Sequence, residues 1–185
     1  MLKKIISKKG IVITLIVIGC LIVFIILMSS SNKISYSVEE VNGNYNVSVN
    51  NRWGKSIYEN VYGVDPIIMQ VDEDTILIRT GGGDSWTTKF INGKTNRVSD
   101  NFENISAYNG QLVVYGIYKD EQLKIVIRDI YDKDKIYKEV IDTFPNVAVG
   151  SYIIKDAQII DEHSVQLTYY VGDEWEEKEE DIGLD

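Results

Sequence analysis

The side chains able to do chemistry in this 185-residue chain are few and scattered. There is one histidine, His163, in the turn Asp161-Glu162-His163-Ser164, and one cysteine, Cys20, inside a long apolar run. A Ser-His-Asp or Cys-His centre would have to use His163 as its base, and the position of Cys20 removes it as a partner. Zinc sites mostly take three or four His or Cys ligands, and only one such residue lies beyond the apolar run, so neither a metal nor a cofactor is expected. Asp72-Glu73-Asp74 and Asp132-Lys133-Asp134 cluster carboxylates without the Asp-x-Asp-x-Asp-Gly spacing and distal Glu of a calcium loop, and they read as acidic hairpin turns. Gly81-Gly82-Gly83-Asp84-Ser85 is dense in glycine, but a phosphate loop leads into a helix, whereas Trp86-Thr87-Thr88-Lys89-Phe90-Ile91 reads as a strand. A carboxylate pair for glycoside hydrolysis could be drawn from any of the 28 acidic residues, so their number alone points nowhere.

The residues left are those of recognition. Trp53, Trp86 and Trp175 each stand beside a predicted turn, in Asn51-Arg52-Trp53-Gly54, Asp84-Ser85-Trp86 and Asp173-Glu174-Trp175. Aromatic rings at turns can stack on a sugar or anchor a protein partner, with large contact area at low entropic cost. Trp53, Trp86 and Trp175, with Asp84 beside the second, form the candidate binding set. The competing expectation is that each tryptophan begins a strand and faces the core.

These residues are positioned by an anchor and one domain. Ile11 to Met28, IVITLIVIGCLIVFIILM, carries no charge and as a helix would span about 27 Å, close to the hydrocarbon thickness of a bilayer. Lys3, Lys4, Lys8 and Lys9 precede it and Ser29-Ser30-Ser31-Asn32 follow, so the positive-inside bias holds the N-terminus in the cytoplasm. The expected organisation is a basic cytoplasmic tail (1–10), a single transmembrane signal anchor (11–28), a short tether (29–33) and an extracytoplasmic domain (34–185). Cleavage after the small residues Ser29 to Ser31 is an alternative, although the apolar run exceeds the usual length of a signal peptide core. Val17-Ile18-Gly19-Cys20 also resembles the bacterial lipobox, which implies a second alternative, lipidation at Cys20; the apolar Leu21 to Met28 departs from the polar tether that normally follows it.

Charge limits the partners. Beyond the anchor lie all 28 acidic residues and 15 of the 19 basic ones, a net charge of −13, which repels nucleic acid and anionic polymers. No cysteine remains there, so disulfides do not hold the domain together. The abundance of Ile, Lys, Asn and Tyr resembles the usage of an AT-rich bacterial genome.

From Ile34 onward the chain lacks helical periodicity. Short β-branched and aromatic runs recur about every ten residues between Asn, Asp and Gly, the rhythm of an antiparallel β-meander. Hairpins are expected for Ile34–Val41 with Tyr45–Val49 across Asn42-Gly43-Asn44, Ile67–Val71 with Thr75–Thr80, and Trp86–Ile91 with Thr95–Val98. A four-strand unit is expected over Asn104–Ile141, then strands at Val147–Ile154, Ala157–Ile160, Val165–Val171 and Glu174–Ile182. A weak repeat links residues 67–79, 105–115 and 157–169, with a looser copy at 39–49. The fold class is therefore all-β, as a twisted sheet, a sandwich or an incomplete β-propeller-like array. The expected function is noncatalytic protein recognition in the cell envelope, with an envelope glycan-binding domain or carboxylate-dependent glycan hydrolase as the alternative.

Overall fold

The computed structural model describes residues 33–119 and 121–184. The expected cytoplasmic tail, transmembrane helix, nearly all of the tether and Cys20 lie outside them. Among the described residues no helix is long and apolar enough to cross a membrane. The described chain is all-β and every strand pairing is antiparallel.

Four sheets follow one another along the chain. The first contains β1 (Ser35–Val41), β2 (Asn44–Asn50) and β3 (Ser56–Tyr62). The second runs through β4 (Ile67–Gln70), β5 (Thr75–Gly82), β6 (Ser85–Asn92) and β7 (Arg97–Val98), with β8 (Phe102–Glu103) also paired to β6. The third comprises β9 (Ile105–Tyr108), β10 (Leu112–Lys119), β11 (Gln122–Asp129) and β12 (Ile136–Val140). A 3₁₀ turn, Gly150–Ile153, leads to the fourth: β13 (Ile154–Ile159), β14 (Ser164–Val171) and β15 (Glu176–Gly183).

Side-chain alternation follows from how the sheets are covered. In β2, Val47 and Val49 are buried while Asn46, Ser48 and Asn50 face outward; in β14, Val165, Leu167 and Tyr169 alternate with Gln166 and Thr168. These strands have one covered face, hence their period of two. β5 and β10 begin instead with unbroken buried runs, Thr75-Ile76-Leu77-Ile78 and Leu112-Val113-Val114, as expected of strands covered on both faces. The apolar clusters agree. Ile76 and Ile78 join Val47 and Val49 between the first and second sheets. Leu77 and Phe90 meet Phe102 and Val113 between the second and third. Leu112, Val114, Ile125 and Ile127 meet Val165, Leu167 and Tyr169 between the third and fourth. Among the described residues no such cluster joins the first sheet to the fourth, and both outer faces are polar.

Turn chemistry accounts for the hairpins. Asn42 and Gly43 take φ of 55° and 77°, the conformation that an Asn-Gly turn supplies at little cost. The internal repeat has a structural counterpart, since 67–79, 105–115 and 157–169 cover the first two strands of the second, third and fourth sheets. The looser copy at 39–49 covers β1 and β2, but that sheet is turned end for end. Asn51, just after β2, donates from Nδ2 to Asn96 Oδ1 at 2.7 Å in the β6–β7 turn, and Ile34 lies against Gly93 in the same turn. The β4–β5 turn is also at this end, because Gly93 N–H donates to Asp74 O at 2.7 Å. The β1–β2 turn therefore points the opposite way from the β4–β5 turn.

Two expectations require correction. Val147–Ile154 is not a strand: its second half coils into the 3₁₀ turn because the Gly150 backbone sits directly against that of Gly116, where a side chain has no room. β3 and β8 were absent from the expected strands. β3 carries Glu59 and Asn60 at its centre and lies at a sheet edge, so its apolar pattern is weak, and β8 is only two residues long. The strand expected at Glu174–Ile182 is β15, rich in acidic residues and at a sheet edge, where it pairs with β14 alone. Its Lys178 turns toward Asp142 at 2.8 Å, and that hydrogen bond holds the Asp142 carboxyl below the usual carboxylate range.

Candidate functional site

The β5–β6 hairpin places the candidate site. Its register pairs Leu77 with Phe90, Arg79 with Thr88 and Gly81 with Trp86, all on the face turned to the third sheet. Leu77 and Phe90 close the apolar core. Beyond them the two sheets part, and Arg79, Thr88 and Trp86 line a cleft of about 270 Å³ with Asp84, Asn104 and Tyr152.

Each wall has an identifiable support. Gly81 has a φ of 123°, and a Cβ there would collide with the Ser85 carbonyl, so the tight end of the hairpin requires glycine. Asn104, at φ 45°, holds Trp86 from both sides: its N–H donates to Trp86 O and its Oδ1 accepts from Trp86 N, each at 2.8 Å. The indole Nε1 donates to Gly83 O at 3.0 Å, so the ring is tied to its own hairpin. Tyr152 comes from the 3₁₀ turn; partial desolvation, with a further contribution from the nearby Asp84 carboxylate, pushes its hydroxyl pKa up.

Two polar groups in the cleft lack partners. Thr88 is fully buried and its Oγ1 makes no hydrogen bond; the Nε of Arg79 is buried and unpartnered as well. Burying a hydroxyl or guanidinium N–H without a partner costs about 1–3 kcal/mol, so such pairs rarely persist as accidents of packing. The other three arginines of the chain each lie over an aromatic ring: Arg52 on Trp53, Arg97 on Tyr131, and Arg128 on Phe102 with Asp100 at 3.3 Å. Among the described residues Arg79 has neither a ring nor a carboxylate partner.

A second cavity, of about 490 Å³, adjoins this one through Asn104 and Ser151 and adds Glu103, Tyr115 and Tyr118 to its walls. A third, of about 420 Å³, lies between the first two sheets, and Tyr58, Tyr62 and Lys89 in its wall are already engaged with one another. Tyr58 and Tyr62 share a hydroxyl–hydroxyl bond of 2.5 Å, and Lys89 lies over the Tyr58 ring at 5.8 Å.

Of the residues singled out from the sequence, Asp84 and Trp86 come together in the cleft. Trp53 is 73% exposed in the β2–β3 turn, its N–H accepted by Asn51 Oδ1, and Asn51 in turn reaches the β6–β7 turn. It therefore stands at the far end of β6 from Trp86, about 20 Å away for a strand of eight residues. Trp175 is 44% exposed in the β14–β15 turn, its ring tilted at 59° against Tyr170 with centroids 5.4 Å apart, and its backbone is held at φ 56°. Its neighbour Asp173 lines a hollow with Tyr118, Glu121 and Gln122, and Tyr118 shares the second cavity with Ser85, so Trp175 lies at the same end of the stack as Trp86. The two most exposed tryptophans thus stand at opposite ends. His163 is an exposed turn residue between β13 and β14, with Glu162 at 3.4 Å.

Sequence reasoning missed Arg79, Thr88, Asn104 and Tyr152. One signal was present for Arg79: it is the first charged residue after a strand otherwise buried on both faces, Thr75-Ile76-Leu77-Ile78-Arg79. Among the described residues no group of His, Cys, Asp and Glu is arranged to hold a metal ion. Comparison of the chain with family models, with curated proteins and with solved structures finds no match.

Proposed function

We propose that the chain is a single-pass membrane protein whose extracytoplasmic β domain acts as a noncatalytic recognition module of the cell envelope, binding a protein partner through the cleft at its β5–β6 end. The observation that carries this reading is the composition of the cleft: one unpaired guanidinium, three hydroxyls, one carboxylate and a pinned indole, a set suited to holding a ligand. The histidine needed by a nucleophilic centre is elsewhere, in the β13–β14 turn. The domain is read as an incomplete propeller-like array, with three like-oriented meanders and an inverted first sheet.

The test is crosslinking and capture from the native envelope, comparing wild type, Trp86→Ala and Trp53→Ala, each shown to be folded by circular dichroism. A partner retained by Trp53→Ala and lost by Trp86→Ala is the expected result. Equal loss, or no captured protein, overturns the reading. The anchor is tested in parallel by mass spectrometry of the membrane-bound chain: residues 11–28 are retained and carry no lipid if they span the bilayer, whereas a chain that begins at an acylated Cys20, a form lost in Cys20→Ser, shows that lipidation is the anchor.

A glycan ligand is the second reading, favoured by the placement of Trp86 beside Asp84 with Glu103 lining the adjoining cavity. Saturable binding on a glycan array, lost in Trp86→Ala, would favour it. Sugar release lost in Asp84→Asn or Glu103→Gln would extend it to hydrolysis.

A further inference from the structure

We infer that the cleft between the second and third sheets is a carboxylate-binding site, in which Arg79 takes a single monoanionic carboxylate presented by a polypeptide partner. The inference rests on the recognition reading and adds the chemistry of what is recognised.

Four observations support it. First, Arg79 is the one arginine in the described chain with neither an aromatic face nor an acid to occupy it, and its planar fork matches a carboxylate in two-pronged geometry. Second, the neighbouring Thr88 hydroxyl is fully buried and unpartnered, so it can donate to a second lone pair of the same group. Third, charge selects a monoanion. Arg79 is the only cation in the cleft, Asp84 stands at the same wall, and the chain beyond the apolar run carries −13, so a dianionic phosphate would meet one positive charge against a repulsive background. Fourth, the volume of about 270 Å³ lies just below the usual range for small-molecule pockets, enough for one residue and too small for a nucleotide. The Trp86 indole, fixed by Gly83 and Asn104, offers an apolar wall for the atoms that carry the carboxylate.

Two sources could present this chemistry, the carboxyl end of a polypeptide or a free amino acid whose ammonium would meet Asp84. The experiment uses the full-length chain in detergent micelles and follows the Trp86 indole resonance, identified by its loss in Trp86→Phe. The probes are N-acetylglycine, its neutral amide and free glycine. N-acetylglycine should move the resonance saturably while the amide does not, and Arg79→Gln should weaken the effect by at least about tenfold, the scale of one charge-assisted hydrogen bond. Equal responses to acid and amide, or an unchanged response in a folded Arg79→Gln, overturn the site. Should Arg79→Gln not fold, the acid and amide comparison in the wild type decides. Glycine binding at least tenfold tighter than N-acetylglycine overturns the polypeptide source in favour of a free amino acid. A partner captured from the envelope without any carboxylate effect overturns this inference and leaves the recognition reading standing.

Discussion

Single side chains set the local tolerances of this domain. Asn51 is buried, with its Oδ1 accepting from the N–H groups of Trp53 and Lys55 and its Nδ2 reaching Asn96. Asn51→Ala strands those partners, so unfolding in denaturant should show a loss of about 1–3 kcal/mol. Tyr131 acts through pH. Burial pushes its hydroxyl up to about 12 from an ordinary 10.0. Because the folded pKa lies above the unfolded one, the stabilisation is complete below pH 10 and is lost as pH rises toward 12. The rise from 10.0 to about 12 corresponds to about 2.7 kcal/mol if fully expressed, and partial exposure reduces it to about 1–2 kcal/mol. Its hydroxyl has no hydrogen-bond partner, so Tyr131→Phe should leave neutral-pH stability within about 1 kcal/mol of wild type while flattening the alkaline loss. Denaturant midpoints measured from pH 8 to 12 check both, and an unchanged alkaline slope in Tyr131→Phe would refute the assignment.

Elements are set by how closely their backbones approach. Where the third sheet meets the 3₁₀ turn, a Cβ on Gly116 would fall on the Gly150 carbonyl, and one on Gly150 would fall on that of Gly116. Both obstacles are backbone, which cannot rotate away, so Gly116→Ala and Gly150→Ala should each cost more than about 3 kcal/mol or prevent folding. Gly63 and Gly183 have open space around the added atom and no positive φ, so alanine there should be neutral or stabilise by up to about 1 kcal/mol. Chemical denaturation of the four variants distinguishes the two classes; loss at all four would show that the seam is not special. The same contact explains what the sequence left unread. Val147–Ile154 has the composition of a strand, and only a partner more than thirty positions away, Gly116, forces it to coil. The strands of the inner and outer sheets were legible because burial on two faces or on one leaves different periods in β5 and β14. The cleft was half legible. Asp84 and Trp86 are adjacent in a glycine-marked turn, whereas Arg79 and Tyr152 come from elements whose meeting depends on sheet stacking. Nothing in local pattern revealed the inversion of the first sheet, since a hairpin reads alike in either orientation.

At the scale of the whole molecule, each sheet is stabilised mainly by its neighbours in chain order, so stability should be graded along the stack. The fourth sheet shares with the third a cluster of thirteen buried residues, while the first is held to the second by six. With each buried aliphatic side chain contributing about 1.5–3 kcal/mol, the weaker interface is the one to the first sheet, whose β1 is exposed along its whole length. Local opening should therefore begin at β1–β3, at a free energy below that of global unfolding, while β10, β11 and β14 open only with the whole domain. Native-state hydrogen exchange of the full chain reads this directly. Val49→Ala, at a fully buried site of the weaker interface, should speed exchange in β1–β3 and leave β10 and β11 unchanged; Val114→Ala should speed exchange throughout. If Val49→Ala instead accelerates every strand equally, the four sheets form one cooperative unit, and the cleft, built on the second and third sheets, would gain no independence from the first. The graded outcome has a functional consequence. The sheet that directly follows the proposed membrane anchor could then open and close while Arg79, Thr88 and Trp86 keep their positions, so ligand affinity at the cleft should be the same in Val49→Ala as in the wild type.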